Sequence, residues 1–101
     1  MRVLRLLSWE NVKCVEGLKE YYEYIGKFTP YLANRRKMYN VKATSWGDGT
    51  GKMLMIEEFD SFDALAKYED DEEYQKGIIN FCRLVNNAKT WVLRESISVP
   101  P

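Results

Sequence analysis

The chain contains no histidine. That absence excludes Ser-His-Asp and Cys-His catalysis, histidine metal sites and histidine-ligated haem. Cysteine is scarce: Cys14 and Cys82 are too few for a disulfide scaffold and too far apart for a zinc motif. Neither sign of charge is in excess, with 15 Lys plus Arg against 15 Asp plus Glu in 101 residues, whereas a nucleic-acid binder ordinarily shows a basic surplus or face. No apolar run approaches the roughly 20 residues of a membrane span. The early stretch Val3-Leu4-Arg5-Leu6-Leu7 is broken by arginine, unlike a signal peptide. The expectation is a cytoplasmic protein with two free thiols, no metal or cofactor, and neither nucleic acid nor membrane as partner. What is present is a 46% hydrophobic, 30% charged composition, that of one globular domain spanning residues 1–101. A domain this short buries only about 60–65% of its unfolded surface, so a further buried interface would help it.

Residues 2–9 (RVLRLLSW) read as a strand. Asn11 offers an N-cap, and Val12, Val15, Leu18, Tyr22 and Ile25 then recur at helical spacing. Thr29-Pro30 is expected to interrupt that helix, with Thr29 capping a second short one from Pro30 to Lys37. Residues 38–46 and 52–59 read as strands joined by a hairpin at Gly47-Asp48-Gly49-Thr50-Gly51. Asp60 or Ser61 caps a short helix holding Phe62, Leu65, Ala66 and Tyr68. Asp70 with Glu73 resembles a capping box for a longer helix that carries Tyr74, Ile78, Phe81, Cys82 and Val85 and ends at Asn86-Asn87. Residues 90–99 read as a fourth strand.

The order β-α-β-β-α-β predicts a ferredoxin-like α+β fold, with strands one and three central in an antiparallel four-stranded sheet and the long helices on one face. On strand three Leu54 and Ile56 point one way and Met53, Met55 and Phe59 the other, so both faces are apolar. Helices cover one face only; the other calls for a second copy of the chain. The expected homodimer closes through the sheet faces, and Met53→Asp or Met55→Asp is expected to split it.

The run Met53-Leu54-Met55-Ile56-Glu57-Glu58-Phe59-Asp60-Ser61, then Ala64-Leu65 and Asp71-Glu72-Glu73-Tyr74-Gln75, resembles the dimeric α/β-barrel superfamily, and within it the antibiotic-biosynthesis-monooxygenase-like and NIPSNAP-like domains. The resemblance covers nearly the whole chain, including Pro30 within the first helical region, with Phe59 where many members carry tryptophan. It implies a dimeric α/β barrel with a small-molecule cavity between helices and sheet in each subunit. The activities it implies are cofactor-independent oxygenation of aromatic polyketides, haem degradation and quinol oxidation, with no activity identified for many members. Haem-degrading members use an Asn on strand one, a Trp on the short helix and a His on the long one; those positions fall here near Ser8 and Trp9, at Tyr68 and at Ile78. Trp9, Tyr68 and Asn80 are the polar or aromatic groups the resemblance leaves to line a cavity.

Two further candidates come from the residues themselves. Tyr21, Tyr22 and Tyr24 crowd one helical turn, so some face solvent or a pocket, and Tyr22 is a candidate contact for an aromatic ligand. Glu57 stands on an otherwise apolar strand face, where it is either a general base or, the favoured reading, half of a salt bridge with Arg5 or Arg94 at the dimer seam. The acidic run Glu69–Glu73 suits a helix start and lacks calcium-loop spacing. Gly47-x-Gly49-x-Gly51 sits in a hairpin, with no helix to receive a pyrophosphate. Arg35-Arg36-Lys37 could meet an anionic substrate but reads first as a solvated turn. RNA recognition on this topology needs an aromatic pair that Lys52-Met53-Leu54-Met55-Ile56-Glu57 lacks. Two functions stay open: a small-molecule enzyme of the monooxygenase-like kind acting on an aromatic or quinol substrate without cofactor, and a non-catalytic dimer that binds a metabolite or a protein.

Overall fold

Buried and half-buried residues alternate without a break along β1 (Val3–Glu10). The computed structural model describes residues 2–11 and 15–96, without the side chain of Val15. After β1 come α1 (Val15–Met38), β2 (Lys42–Gly47), β3 (Lys52–Phe59), α2 (Phe62–Glu69), α3 (Glu72–Leu84) and β4 (Asn86–Arg94). The sheet is antiparallel throughout, in the order β2-β3-β1-β4. The fold is thus ferredoxin-like α+β, with strands one and three central as the sequence predicts.

Register decides which side chains the helices cover. Val3 pairs with Phe59, Arg5 with Glu57, Leu7 with Met55 and Trp9 with Met53. Side chains alternate across a strand, so these eight share one face, and Val3, Arg5, Leu7, Trp9, Glu57 and Phe59 are buried there. Leu4, Leu6, Leu54 and Ile56 take the opposite face, joined by Trp46 from β2 and by Trp91 and Leu93 from β4. Trp46, Trp91 and Leu93 are exposed. The open apolar face is therefore carried by Leu54 and Ile56. Met53 and Met55 lie under the helices, which corrects their choice as positions for splitting a dimer.

α1 runs through Pro30 as one helix of 24 residues, where the sequence suggested a break. Proline removes the bond to the carbonyl of Gly26, four residues back. Gly26 and Pro30 are both exposed, so water can take that carbonyl. Phe28, Tyr31 and Leu32 on either side pack into one core cluster and hold the two halves in line. The phase of α1 also differs: Tyr21, Tyr24, Ile25, Phe28 and Leu32 pack inward, while Tyr22 is 65% exposed.

Ser61 caps α2 through a hydrogen bond from the Ala64 amide at 3.1 Å, and Asp71, not Asp70, caps α3, accepting from the Tyr74 amide at 2.9 Å. α3 ends at Leu84, and β4 begins at Asn86, four residues before the expected start. Asn87 takes a positive φ of 53° beside a shift in the β1–β4 register, so the asparagines turn the chain straight into the strand. The expected strand residues 97–99 lie outside the described residues, as does Cys14; the Cys82 thiol is free. Helices α1 and α3 meet at Gly77. A Cβ there would sit in the Phe28 ring, 2.9 Å from its Cδ1 and closer still to Cε1 and Cζ. The Tyr24 hydroxyl donates to the Gly77 carbonyl across the same crossing.

Candidate functional site

The helix-covered face holds two apolar clusters. Val3, Phe28, Val41, Phe59, Leu65, Tyr68 and Tyr74 form one, at the Val3–Phe59 end of the central strands. Leu7, Trp9, Phe81 and Val85 form the other, at the Trp9–Met53 end. Between them along the strands lies the Arg5–Glu57 pair, and there the helices stand off the sheet. The gap is a cavity of about 440 Å³, within the usual range for small-molecule sites. Leu7, Leu32, Met55 and Ile78 give it apolar walls, while Arg5, Arg36, Glu57, Glu69 and Tyr74 gather at a polar end.

Glu57 is 3% exposed and organises that end. Its Oε1 accepts from Arg5 Nε at 3.0 Å and Arg5 Nη2 at 2.5 Å; its Oε2 accepts from the Tyr68 hydroxyl at 3.0 Å and Arg36 Nε at 3.3 Å. A carboxylate offers about four acceptor directions, and all are used. Glu57 therefore orients cations and phenols, and has no lone pair left for a ligand proton. Its partner on the neighbouring strand is Arg5, one of the two arginines proposed from the sequence. The pair sits beneath the helices and not at a sheet-face seam.

Arg5 also donates through Nη1 to Glu69 and through Nη2 to the Tyr74 hydroxyl. Its guanidinium lies 5.5–5.6 Å from the ring centres of Phe59, Tyr68 and Tyr74, within cation–π range. Burial alone would lower the guanidinium pKa. The negative charge of Glu57, aided by Tyr74 and Glu69, outweighs it and holds Arg5 firmly protonated. Burial raises the pKa of the Tyr68 phenol, with Glu57 adding to the shift; it raises that of Tyr74 against the opposing pull of Arg5. Both stay neutral, Tyr68 donating to Glu57 and Tyr74 accepting from Arg5.

The other sequence candidates have separate fates. Tyr68 is fully buried and reaches the site only through its hydroxyl on Glu57. Trp9 packs edge-on to Phe81 in the second cluster and donates its indole N–H to Asn11 at 3.2 Å. Tyr22 stands on the outer face of α1 against Tyr21. Asn80 accepts from Arg83. None of these three lines the cavity. Sequence reasoning favoured a solvated turn for Arg36 and missed Glu69 and Tyr74 as site residues, and Cys82, which lines the wall one turn on from Ile78. Burial raises the Cys82 thiol pKa, so the group is mostly un-ionised near neutral pH. The position that carries a haem-ligating histidine in the resembling proteins is Ile78, which has no donor atom and forms apolar wall. A histidine-held haem does not fit. Among the described residues no group of three or more acidic or cysteine side chains is placed to hold a metal ion, and no helix is long and apolar enough to cross a membrane.

No protein-family model matches the chain, and no curated protein matches it by sequence. Solved structures do match by fold. SnoaB, a cofactor-independent oxygenase from Streptomyces nogalater, superposes with a TM-score of 0.64 at 9% identity, over 99% of this chain and 98% of its own. A candidate antibiotic biosynthesis monooxygenase from Deinococcus radiodurans gives 0.70 at 13% identity, over 98% and 97%. A NIPSNAP family protein from Agrobacterium tumefaciens gives 0.59 at 11%, over 95% and 94%. The chain thus shares its fold with solved structures that include a cofactor-independent oxygenase, a candidate antibiotic biosynthesis monooxygenase and a NIPSNAP family protein.

Proposed function

We propose that the chain is a small-molecule-binding homodimer of the monooxygenase-like kind, acting without cofactor on an aromatic or quinol substrate. One observation carries this reading: the space between helices and sheet is an open cavity of about 440 Å³ with apolar walls and one polar end, the shape expected for an apolar ring system bearing oxygen. In such chemistry the substrate itself reduces oxygen: one oxygen atom enters the substrate, and the other leaves as water with two substrate hydrogens. The protein contributes orientation and a dry enclosure. SnoaB is described as a cofactor-independent oxygenase, which lends support from a shared fold. Dimerisation through the sheet faces is supported by the uncovered apolar row of Leu4, Leu6, Leu54 and Ile56.

A second reading, a dimer that binds its ligand without reaction, is favoured by the saturation of Glu57, the one carboxylate enclosed in the site. Oxygen uptake separates the two. Purified protein with a panel of hydroquinones and anthrones should consume oxygen faster than the substrates do alone, and Ile78→Trp, which fills the cavity, should abolish the excess. Saturable binding across the panel with no excess uptake would leave the binding dimer.

A further inference from the structure

Arg36 is the cation of the site with the most hydrogen-bonding capacity left. Arg5 commits four of its five N–H donors to Glu57, Glu69 and Tyr74. Arg36 gives Nε to Glu57 Oε2 at 3.3 Å, and Nη2 meets only the Met55 thioether sulfur at 3.1 Å, a weak acceptor. Its Nη1 has no hydrogen-bond partner among the described residues, and its side chain is 22% exposed where it borders the cavity. Arg36 therefore lines a space walled by Leu32, Met55 and Ile78 with guanidinium N–H donors still unspent.

The charges of the site decide what those donors receive. Arg5 and Arg36 balance Glu57 and Glu69, and three ion pairs tie the four together: Arg5–Glu57, Arg5–Glu69 and Arg36–Glu57. An ionised ligand would place a net charge in this partly enclosed, apolar-walled space with no free counter-charge, which is costly. A neutral acceptor oxygen takes the free donors and leaves the sum at zero. We infer that Arg36 is the specificity-determining residue of the cavity, and that it anchors the carbonyl oxygen of an uncharged ligand whose apolar body lies along Leu32, Met55 and Ile78. The inference rests on the proposed function for its premise that the cavity binds ligands at all.

Three probes of one shape test it: naphthalene, 2-acetylnaphthalene and 2-naphthoate. Affinity is read by isothermal titration calorimetry. The native protein should bind the ketone about tenfold more tightly than the hydrocarbon, the increment of one charge-assisted hydrogen bond, and should bind the naphthoate no better than the ketone. Arg36→Met should erase the ketone's advantage over naphthalene. Should that variant fail to fold, the native protein still decides the matter: the infrared carbonyl stretch of the bound ketone should fall below its value in cyclohexane. An unshifted stretch, an advantage that survives in Arg36→Met, or tighter binding of the naphthoate would each overturn the inference while leaving a ligand-binding cavity in place. Failure of all three probes to bind would instead overturn the cavity reading beneath it, and this inference with it.

Discussion

Replacing Glu57 by glutamine tests the centre of the site, because the change keeps the volume, removes the charge and turns one acceptor oxygen into an NH2 donor among groups that already donate. Glu57 accepts four hydrogen bonds, three of them at 3.0 Å or less and two of those from Arg5. A hydrogen bond to a charged group contributes about 1.5–3 kcal/mol and a neutral one about 0.5–1.5 kcal/mol. The loss over the three good bonds is therefore about 3 kcal/mol, at the lower end of the roughly 3–5 kcal/mol for breaking a buried ion pair. For a domain of this size each kcal/mol moves Tm by about 4–8 °C, so a fall of about 12–24 °C is expected. Thermal unfolding followed by circular dichroism measures it. Glu95→Gln is the control: its bond to Arg2 joins side chains that are 49% and 67% exposed, and such solvent-screened pairs contribute little, so Tm should barely move. Coupling gives a second check, since Arg5→Met should cost less in the Glu57→Gln chain than in the native one. A Glu57→Gln protein within about 1 kcal/mol of the native would refute the reasoning, because a carboxylate buried to this degree would then not be holding the cations around it.

Gly77→Ala should cost about 1–3 kcal/mol in urea unfolding by pushing the Phe28 ring out of the helix crossing, and Phe28→Leu in the same chain should recover part of it. On the proposed dimer, light scattering should give about twice 11.9 kDa for the native protein and 11.9 kDa for Ile56→Asp, on the open face; Met55→Asp, beneath the helices, should lower stability first. Alkaline pH should destabilise the protein. Burial raises the phenol pKa of Tyr31, Tyr68 and Tyr74, that of Tyr31 to about 12. The folded state therefore keeps protons that the unfolded state releases above about pH 10. Stability from these groups is intact below that pH and is lost as the pH climbs through the folded values; a urea midpoint constant from pH 9 to about 12 would count against the burial of these rings.

Much of the fold was legible because its signals are local. Alternation in β1 and β3, the Asp48-Gly49 turn with Gly49 at φ +82°, and the Ser61 cap each depend on residues within a few positions of one another. Glu57 was legible as well: a carboxylate on an apolar strand face must find a partner, and a neighbouring strand had an arginine to offer. Tyr22 misled because three tyrosines in four residues allow two helical phases, and only the long-range contact of Phe28 with α3 chooses between them.

The misplacing of Arg36 follows from a single misreading. Pro30 read as a helix break ends the first helix before it reaches the arginines, and Arg35-Arg36-Lys37 then stands in a turn, where a charge run is solvated. With Pro30 on the solvent side of an unbroken helix, the inward stripe of Ile25, Phe28 and Leu32 continues in steps of three and four. Arg35 falls seven residues after Phe28 and Arg36 four after Leu32, both on the covered side. Arg35 is accordingly buried, donating to the Lys67 and Tyr68 carbonyls at the end of α2. Arg36 reaches the cavity beside Leu32. Lys37, one step further around, is exposed. The same physics governs any proline inside a long amphipathic stretch. Whether the helix survives depends on where the orphaned carbonyl points, and the phase of the apolar stripe fixes that direction. Gly26 and Pro30 both fall off the stripe set by Ile25, Phe28 and Leu32, so the carbonyl is free to meet water and the helix has no cause to stop.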